Sequence, residues 1–270
     1  MSFVTRLRSS GVLRPLSVAS RTQLRCYSCT TPRQSQETST ALKDTTPLDS
    51  RWFSNLQTRI EKLRSSKYPP ECVSQAEKLY QHTTSDWIEL LAGREGFLTD
   101  KSWRALDHYP LLWGDMDSMR FRFKVHLLYA DCSRPHDAAT EEQRRQWDDL
   151  PTPRSLGLIL RRITTEFKLP LTFPDHVTVL YRLSERPRYD STSLLMEGWI
   201  LSDQHRRLAA KCIDDTAIYD YTTSKRSVLK PFMVEKFQET FDRQMESQIK
   251  CDKDARDVIA AVEGLEKQFQ

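Results

Sequence analysis

Residues 155–183 read SLGLILRRITTEFKLPLTFPDHVTVLYRL, and the period of the chain changes there. Ile163, Thr165, Phe167 and Leu169 alternate with Arg162, Thr164, Glu166 and Lys168. That two-residue repeat is the mark of a strand with one buried face. Pro170 and the Pro174-Asp175 pair signal a turn, and Val177, Val179, Tyr181 and Leu183 resume the alternation. Residues 185–190, with Pro187, read as a loop. Leu194, Met196, Gly198 and Ile200 then form one face of a strand, opposite Leu195, Glu197, Trp199 and Leu201. A polar turn at 202–207 leads into a further strand at 208–221. Four consecutive strands on short connections predict an antiparallel meander, and the first is long enough to bend.

On either side the period is helical. Trp52, Phe53, Leu56, Ile60 and Leu63 share one helix face, and Tyr68-Pro69-Pro70 ends it. A second helix is predicted over about 71–92, with Val73, Ala76, Leu79, Trp87, Leu90 and Leu91 inward. After the strands, Met233, Phe237, Phe241, Met245 and Ile249 recur every four residues. Val258, Ile259, Val262, Leu265 and Phe269 form a second stripe. The pattern divides the chain into a helical N-terminal extension at 49–106, a strand-rich domain at 107–232 and C-terminal helices at 233–270. Residues 28–48, rich in Ser, Thr, Gln and Pro, read as a disordered linker.

A length of 270 residues fits a leader plus one ordinary domain, or two small ones. Only 7 glycines are present, which argues against phosphate-binding Gly-rich loops. The net charge is +4, but Arg6, Arg8, Arg14, Arg21, Arg25 and Arg33 more than account for it. The remainder is slightly acidic, so charge gives no support to nucleic-acid binding. Residues 1–27 are Arg- and Ser-rich and free of acids, the composition of a mitochondrial transit peptide. Arg25-Cys26-Tyr27-Ser28 resembles a matrix-protease site that cuts after Tyr27. The expected location is therefore the mitochondrial matrix. No apolar run approaches the roughly 18–20 residues of a membrane span. Cys26 and Cys29 have C-x-x-C spacing without a second pair, and a four-ligand zinc site needs one. The six cysteines read as reduced thiols.

There is no G-x-S-x-G, Walker loop or H-E-x-x-H, and none of the six histidines pairs with another at metal-ligand spacing. Chemistry is then left to residues 111–139, LLWGDMDSMRFRFKVHLLYADCSRPHDAA. An apolar strand over 109–113 ends at Gly114, and Asp115 and Asp117 follow. Asp117 or Ser118 can cap whatever helix begins next. A carboxylate there sits among free backbone N–H groups that can polarise a carbonyl oxygen. It can attack the carbonyl carbon or activate water. On spacing alone, a helix cap plus a solvated acid is the better account of the pair. Beyond Met119 the period is ambiguous. Phe121, Phe123, Val125 and Leu127 fit a strand; Phe121, Val125, Leu128 and Cys132 fit a helix. Context favours the helix, because the sheet needs one to bury its inner face.

The ordered set Trp113-Gly114-Asp115-Met116-Asp117-Ser118, Leu156-Gly157-Leu158-Ile159, Phe167-Lys168-Leu169-Pro170, Thr172-Phe173-Pro174-Asp175, the segment from Leu201 to Ala210 and Ile218-Tyr219-Asp220-Tyr221 resembles the 4-hydroxybenzoyl-CoA thioesterase-like proteins, and among them a fungal mitochondrial group. The segment from Glu89 to Leu98 shares the resemblance. It implies an α+β hotdog fold, a curved antiparallel sheet around a central helix, with extra N- and C-terminal helices. One departure stands out. The family's acid box runs into His-Val-Asn-Asn, and here Met119 is followed by Arg-Phe-Arg-Phe-Lys-Val-His. The central helix is thus altered and its usual segment missing. A changed exon boundary or reading frame leaves such an island, and so does functional divergence.

The resemblance further implies an acyl-CoA thioesterase with Asp117 as nucleophile or general base. Ser118 and Met119 would supply oxyanion-holding N–H groups, with Gly114 and Asp115 in support. No cofactor is implied beyond the coenzyme A of the substrate, and no metal. The assembly would be a homodimer or homotetramer. Arg206 and Arg207, at a hairpin turn, could meet the phosphates of coenzyme A, although a solvated turn is the favoured account of them. The alternative is a catalytically impaired hotdog protein that serves as a binding or assembly subunit in mitochondria.

Overall fold

The computed structural model describes residues 48–111, 140–150 and 152–269. Helix α1 (Trp52–Leu63) forms on the predicted spacing and buries Phe53, Leu56, Ile60 and Leu63. Helix α2 (Pro70–Ser85) starts with proline in its first turn, where the missing N–H costs nothing. The single helix expected over 71–92 is two. Asp86 leaves helical geometry at φ −106° and ψ 22°, and α3 (Trp87–Leu91) restarts at a new angle. That break lets α2 face α1 while Trp87, Ile88 and Leu90 face the sheet.

The sheet contains β1 (Arg104–Pro110), β2 (Leu156–Phe167), β3 (His176–Leu183), β4 (Ser193–Ser202), β5 (Arg207–Asp220) and the short β6 (Lys225–Arg226). Strand β1 lies earlier than the segment 109–113 read as a strand in sequence, and it begins at Arg104. All pairings are antiparallel, in the order β1-β3-β4-β5-β2, with β6 on the end of β5. The meander is therefore only β3-β4-β5. Strand β2 does not pair with β3; it lies at the far edge, in register with β5 from Leu156 opposite Asp220 to Phe167 opposite Ala210. Register shifts in the β1–β3, β2–β5 and β4–β5 ladders mark bulges, which add twist and curl the sheet. A curled antiparallel sheet with flanking helices is the α+β hotdog fold, here extended by helices at both ends. The central helix expected after the acid box lies outside the described residues.

Residues directly opposite in an antiparallel ladder share a face, which separates two packed layers. On the first face Leu180, Trp199 and Leu201 pack with Phe53, Trp87, Leu90 and Phe97 of the N-terminal extension and with Ala255. On the second face Val177, Val179, Ile200 and Ala210 pack with Ala105 and Leu111. Further along it, Leu183, Leu194, Met196 and Ile218 meet Trp147, Leu150, Met233 and Phe237.

The C-terminal helices are one helix, α5 (Pro231–Gln268), of 38 residues, about 57 Å long. No proline or glycine separates its two apolar stripes, so nothing breaks it between them. Its N-terminal stripe joins the second-face core, and Val258, Val262 and Leu265 join α1 and α2. Helix α4 (Glu141–Asp149) opens with a capping box. Thr140 accepts from the Gln143 N–H, and the Gln143 side chain accepts from the Thr140 N–H. Cys72, Cys212 and Cys251 are buried and in no disulfide, and burial pushes the thiols of Cys72 and Cys251 up from the ordinary range.

Candidate functional site

The residues assigned to catalysis by resemblance, Asp117 with Gly114, Asp115, Ser118 and Met119, lie outside the described residues. The structure does describe how the chain reaches them and returns. Leu111 is buried on the second face, and its N–H donates to the Asp175 carbonyl at 2.9 Å. The chain returns at Thr140 into α4, whose Trp147 packs edge-on against Phe237, with ring centroids 5.4 Å apart. Leu111 contacts the Val177–Val179 end of the second face, and Trp147 the Leu183–Met196 end. Six strand residues separate those ends, about 20 Å. Leu111 and α4 thus lie at two ends of one apolar face. That face also presents Asp214 and Thr216, both buried, opposite Met196 and Leu194.

At the Leu111 end, side chains from distant parts of the sequence converge. His108 has φ 47°, a conformation uncommon outside glycine. Its Nδ1 lies 2.7 Å from Asp203 Oδ2, and its ring stacks on His176 with centroids 3.9 Å apart. Thr178 Oγ1 donates to Asp203 Oδ1 at 2.9 Å. Beside them the buried Asp175 carboxylate accepts from Ser202 Oγ at 2.6 Å and from the N–H groups of His176 and Gln204 at 2.7 and 3.0 Å. These bonds fasten the entry to β3 onto the β4–β5 turn. No sequence spacing links His108 and His176, because only the β1–β3 pairing brings them together.

The two arginines proposed for coenzyme A sit on that β4–β5 turn. Arg206 has φ 47°, and its Nη1 donates to Thr84 Oγ1 at 3.1 Å. Both arginines line a cleft of about 450 Å³ with Arg51, Trp52, Phe53, Leu91, Trp199 and Leu208. The cleft opens on the first face, whereas Leu111 lies on the second.

A buried ion cluster occupies the first face behind the cleft. Glu197 accepts from Arg182 Nη2 at 2.7 Å, from Trp199 Nε1 at 2.8 Å and from Lys211 Nζ at 2.6 Å. Burial pushes the Glu197 carboxyl up, but the bonds from Lys211 and Arg182 outweigh it and hold the carboxyl below the usual carboxylate range. Arg182 also donates to the Glu95 carbonyl and lies over the Phe97 ring. Among the described residues, no group of three or more His, Cys, Asp or Glu is placed to hold a metal ion. None of their helices is long and apolar enough to cross a membrane.

The sheet order and its anchored second face define a hotdog-fold protein. Residues 111–237 match the family model of the thioesterase-like superfamily. The match covers a little under half of the chain and starts at Leu111. Among curated proteins nothing matches. Among solved structures the chain is similar to a thioesterase from Thermus thermophilus complexed with coenzyme A and Zn, at 18% identity over 55% of this chain and 98% of that one, TM-score 0.39. It is also similar to the DHNA-CoA thioesterase from Staphylococcus aureus, at 12% identity over 51% and 90%, TM-score 0.38. A probable thioesterase from Escherichia coli gives 14% identity over 49% and 95%, TM-score 0.35.

Proposed function

We propose that the chain is an acyl-CoA thioesterase that hydrolyses a fatty acyl-CoA to the free acid and coenzyme A. The observation that carries this reading is the superfamily match over 111–237, which takes in Asp117. In this reading the Asp117 carboxylate either attacks the thioester carbonyl, giving an anhydride that water opens, or deprotonates the attacking water. The N–H groups of Ser118 and Met119 hold the developing oxyanion, and Gly114 and Asp115 shape the turn. The thiolate of coenzyme A leaves and takes up a proton. No metal or further cofactor enters the reaction.

The proposal extends to assembly and location. Strand β2 is the edge of the sheet, with Leu160 40% and Phe167 69% exposed. An edge strand carrying exposed apolar side chains is a template for pairing with another chain, which supports a homodimer or a homotetramer. The acid-free residues 1–27 support import into the mitochondrial matrix, followed by removal of that segment.

The test is to assay the chain lacking residues 1–27 against acyl-CoAs of several chain lengths, trapping released coenzyme A with a thiol reagent, beside Asp117→Asn. Hydrolysis that the substitution abolishes supports the enzyme. A folded wild type as silent as the variant on every substrate ends the catalytic reading and leaves the binding-subunit alternative.

A further inference from the structure

The first-face cleft collects charge that the fold does not use. Five cations line it, Arg51, Arg94, Lys168, Arg206 and Arg207, against the two acids Asp49 and Glu95. Arg94 is neutralised by Asp252 at 2.7 Å and Glu95 at 3.3 Å, and Lys168 by Glu166 at 2.7 Å. Arg206 has only the neutral Thr84 hydroxyl. Arg51 and Arg207 pair with no acid among the described residues. Three guanidinium groups therefore line one concavity against a single remaining acid, Asp49.

Helix α1 begins in the same cleft. It carries no side-chain cap and no acid in its first turn. Among the described residues, the backbone N–H groups of Phe53 and Ser54 make no hydrogen bond. Its positive dipole end adds to the arginines. The floor is different in kind. Trp199 and Phe53 are buried there, Leu91 and Leu208 are half-buried, and Trp52 stands at the wall. A volume of about 450 Å³ falls within the range of small-ligand sites, roughly 300–1,000 Å³. Cations with free N–H groups on the rim, above an aromatic floor, match a ligand with both phosphate and a flat apolar ring.

We infer that the cleft between the start of α1 and the β4–β5 turn binds a phosphorylated nucleotide, with its phosphates on Arg51, Arg206 and Arg207 and its base against Trp52 and Leu208. Most of this site lies outside the segment 111–237, so the N-terminal extension becomes part of a ligand site rather than only a cover for the sheet. The inference goes beyond the thioesterase reading and does not depend on Asp117. The nucleotide end of coenzyme A and a free nucleotide share this chemistry.

Trp52 and Trp199 both line the cleft, so intrinsic fluorescence of the full chain reports occupancy. The probes are coenzyme A, adenosine 3′,5′-bisphosphate, ADP and inorganic pyrophosphate. Saturable binding of the nucleotides is expected, weakened by salt and by about tenfold in Arg207→Ala and in Arg51→Ala. The remote exposed variant Arg188→Ala should bind like the wild type. Preference for the 3′-phosphorylated probes assigns the source to coenzyme A; equal binding of ADP assigns it to free nucleotides. Three results would overturn the inference: no nucleotide binding by the folded chain, binding indifferent to both cleft variants, or pyrophosphate binding as tightly as the nucleotides. Thioester hydrolysis by the same preparations is scored separately. Nucleotide binding without hydrolysis leaves this inference standing and removes the enzyme reading, and hydrolysis by a chain whose nucleotide binding ignores the cleft variants does the reverse.

Discussion

The two faces of the sheet solve the same burial problem by different means. The second face is mainly aliphatic, with Val177, Val179, Leu183, Leu194, Met196 and Ile200 as its floor. The first face sets a buried carboxylate, Glu197, among Arg182, Lys211 and Trp199. Apolar packing tolerates small shifts in what lies on it. A hydrogen-bonded ion cluster does not, because each group has one satisfying geometry. The first face therefore fixes the Glu95–Phe97 turn of the extension in one place, through the Arg182 bond to the Glu95 carbonyl.

Met196 and Glu197 test the contrast most directly, since they are neighbours in β4 that point to opposite faces. Glu197→Ala leaves Arg182 and Lys211 without their shared carboxylate and should cost about 3–5 kcal/mol. Met196→Ala opens a cavity and should cost about 2–5 kcal/mol. Their pH dependence should differ. The Glu197 carboxyl is held below its ordinary range when folded. Its contribution is therefore present above the unfolded value of about 4.3 and is lost as pH falls through the lower folded value. The gap between wild type and Glu197→Ala should shrink below about pH 4, and the Met196→Ala gap should not follow it. Urea melts at pH 7 and pH 3.5 give both numbers. Parallel loss in the two variants would erase the distinction between the faces.

Both faces were partly legible in the sequence, for one reason. A two-residue period reports side-chain direction, so Met196 and Glu197 could be put on opposite sides without coordinates. The period says nothing about which strands are neighbours. Strand β2 was expected beside β3, yet the connection over 168–175 holds Pro170 and Pro174 and is too long for a tight hairpin turn. Those prolines were the available sign that the chain leaves the β2 edge and crosses to β3. Asp203 and His108 are 95 residues apart, and no local pattern links them. The arginines of the β4–β5 turn were visible as residues. Their cleft was not, because half of it comes from α1, which reads only as an amphipathic helix. The acid box was the clearest chemical signal in the chain, and Leu111 shows where it is tethered.

Glycine at 198 sharpens the comparison at smaller scale. A Cβ there would lie 2.7 Å from Tyr181 Cζ, because the tyrosine ring lies across the glycine on the second face. At Gly93, on the extension, a Cβ would lie 2.7 Å from Cys251 Sγ. Alanine at either site should cost about 1–3 kcal/mol. Tyr181 is only partly buried, so Gly198→Ala should be the milder. Cys251 sits on a helix held by the Arg94–Asp252 pair at 2.7 Å and has less room to retreat. Thermal melts that rank Gly198→Ala as the more damaging would show the second face to be the stiffer one.

The smallest expected effect lies where α5 meets α1. Arg59 binds Glu266 through two bonds, at 2.9 and 2.6 Å, with about a third of each side chain exposed. The Glu266 bond raises the Arg59 pKa, and the Arg59 bond lowers that of Glu266. Both shifts favour the charged pair, but solvent and salt screen it, so Arg59→Ala should cost no more than about 1 kcal/mol. A double-mutant cycle with Glu266→Ala should return a coupling of about 0.5–1 kcal/mol at low salt and less at high salt. The Arg182–Glu197 cycle should be several times larger and nearly independent of salt, because that pair is shielded from solvent. Equal coupling in the two cycles would mean that burial adds nothing to the first-face cluster. The extension would then be held by its apolar contacts alone, as the second face is.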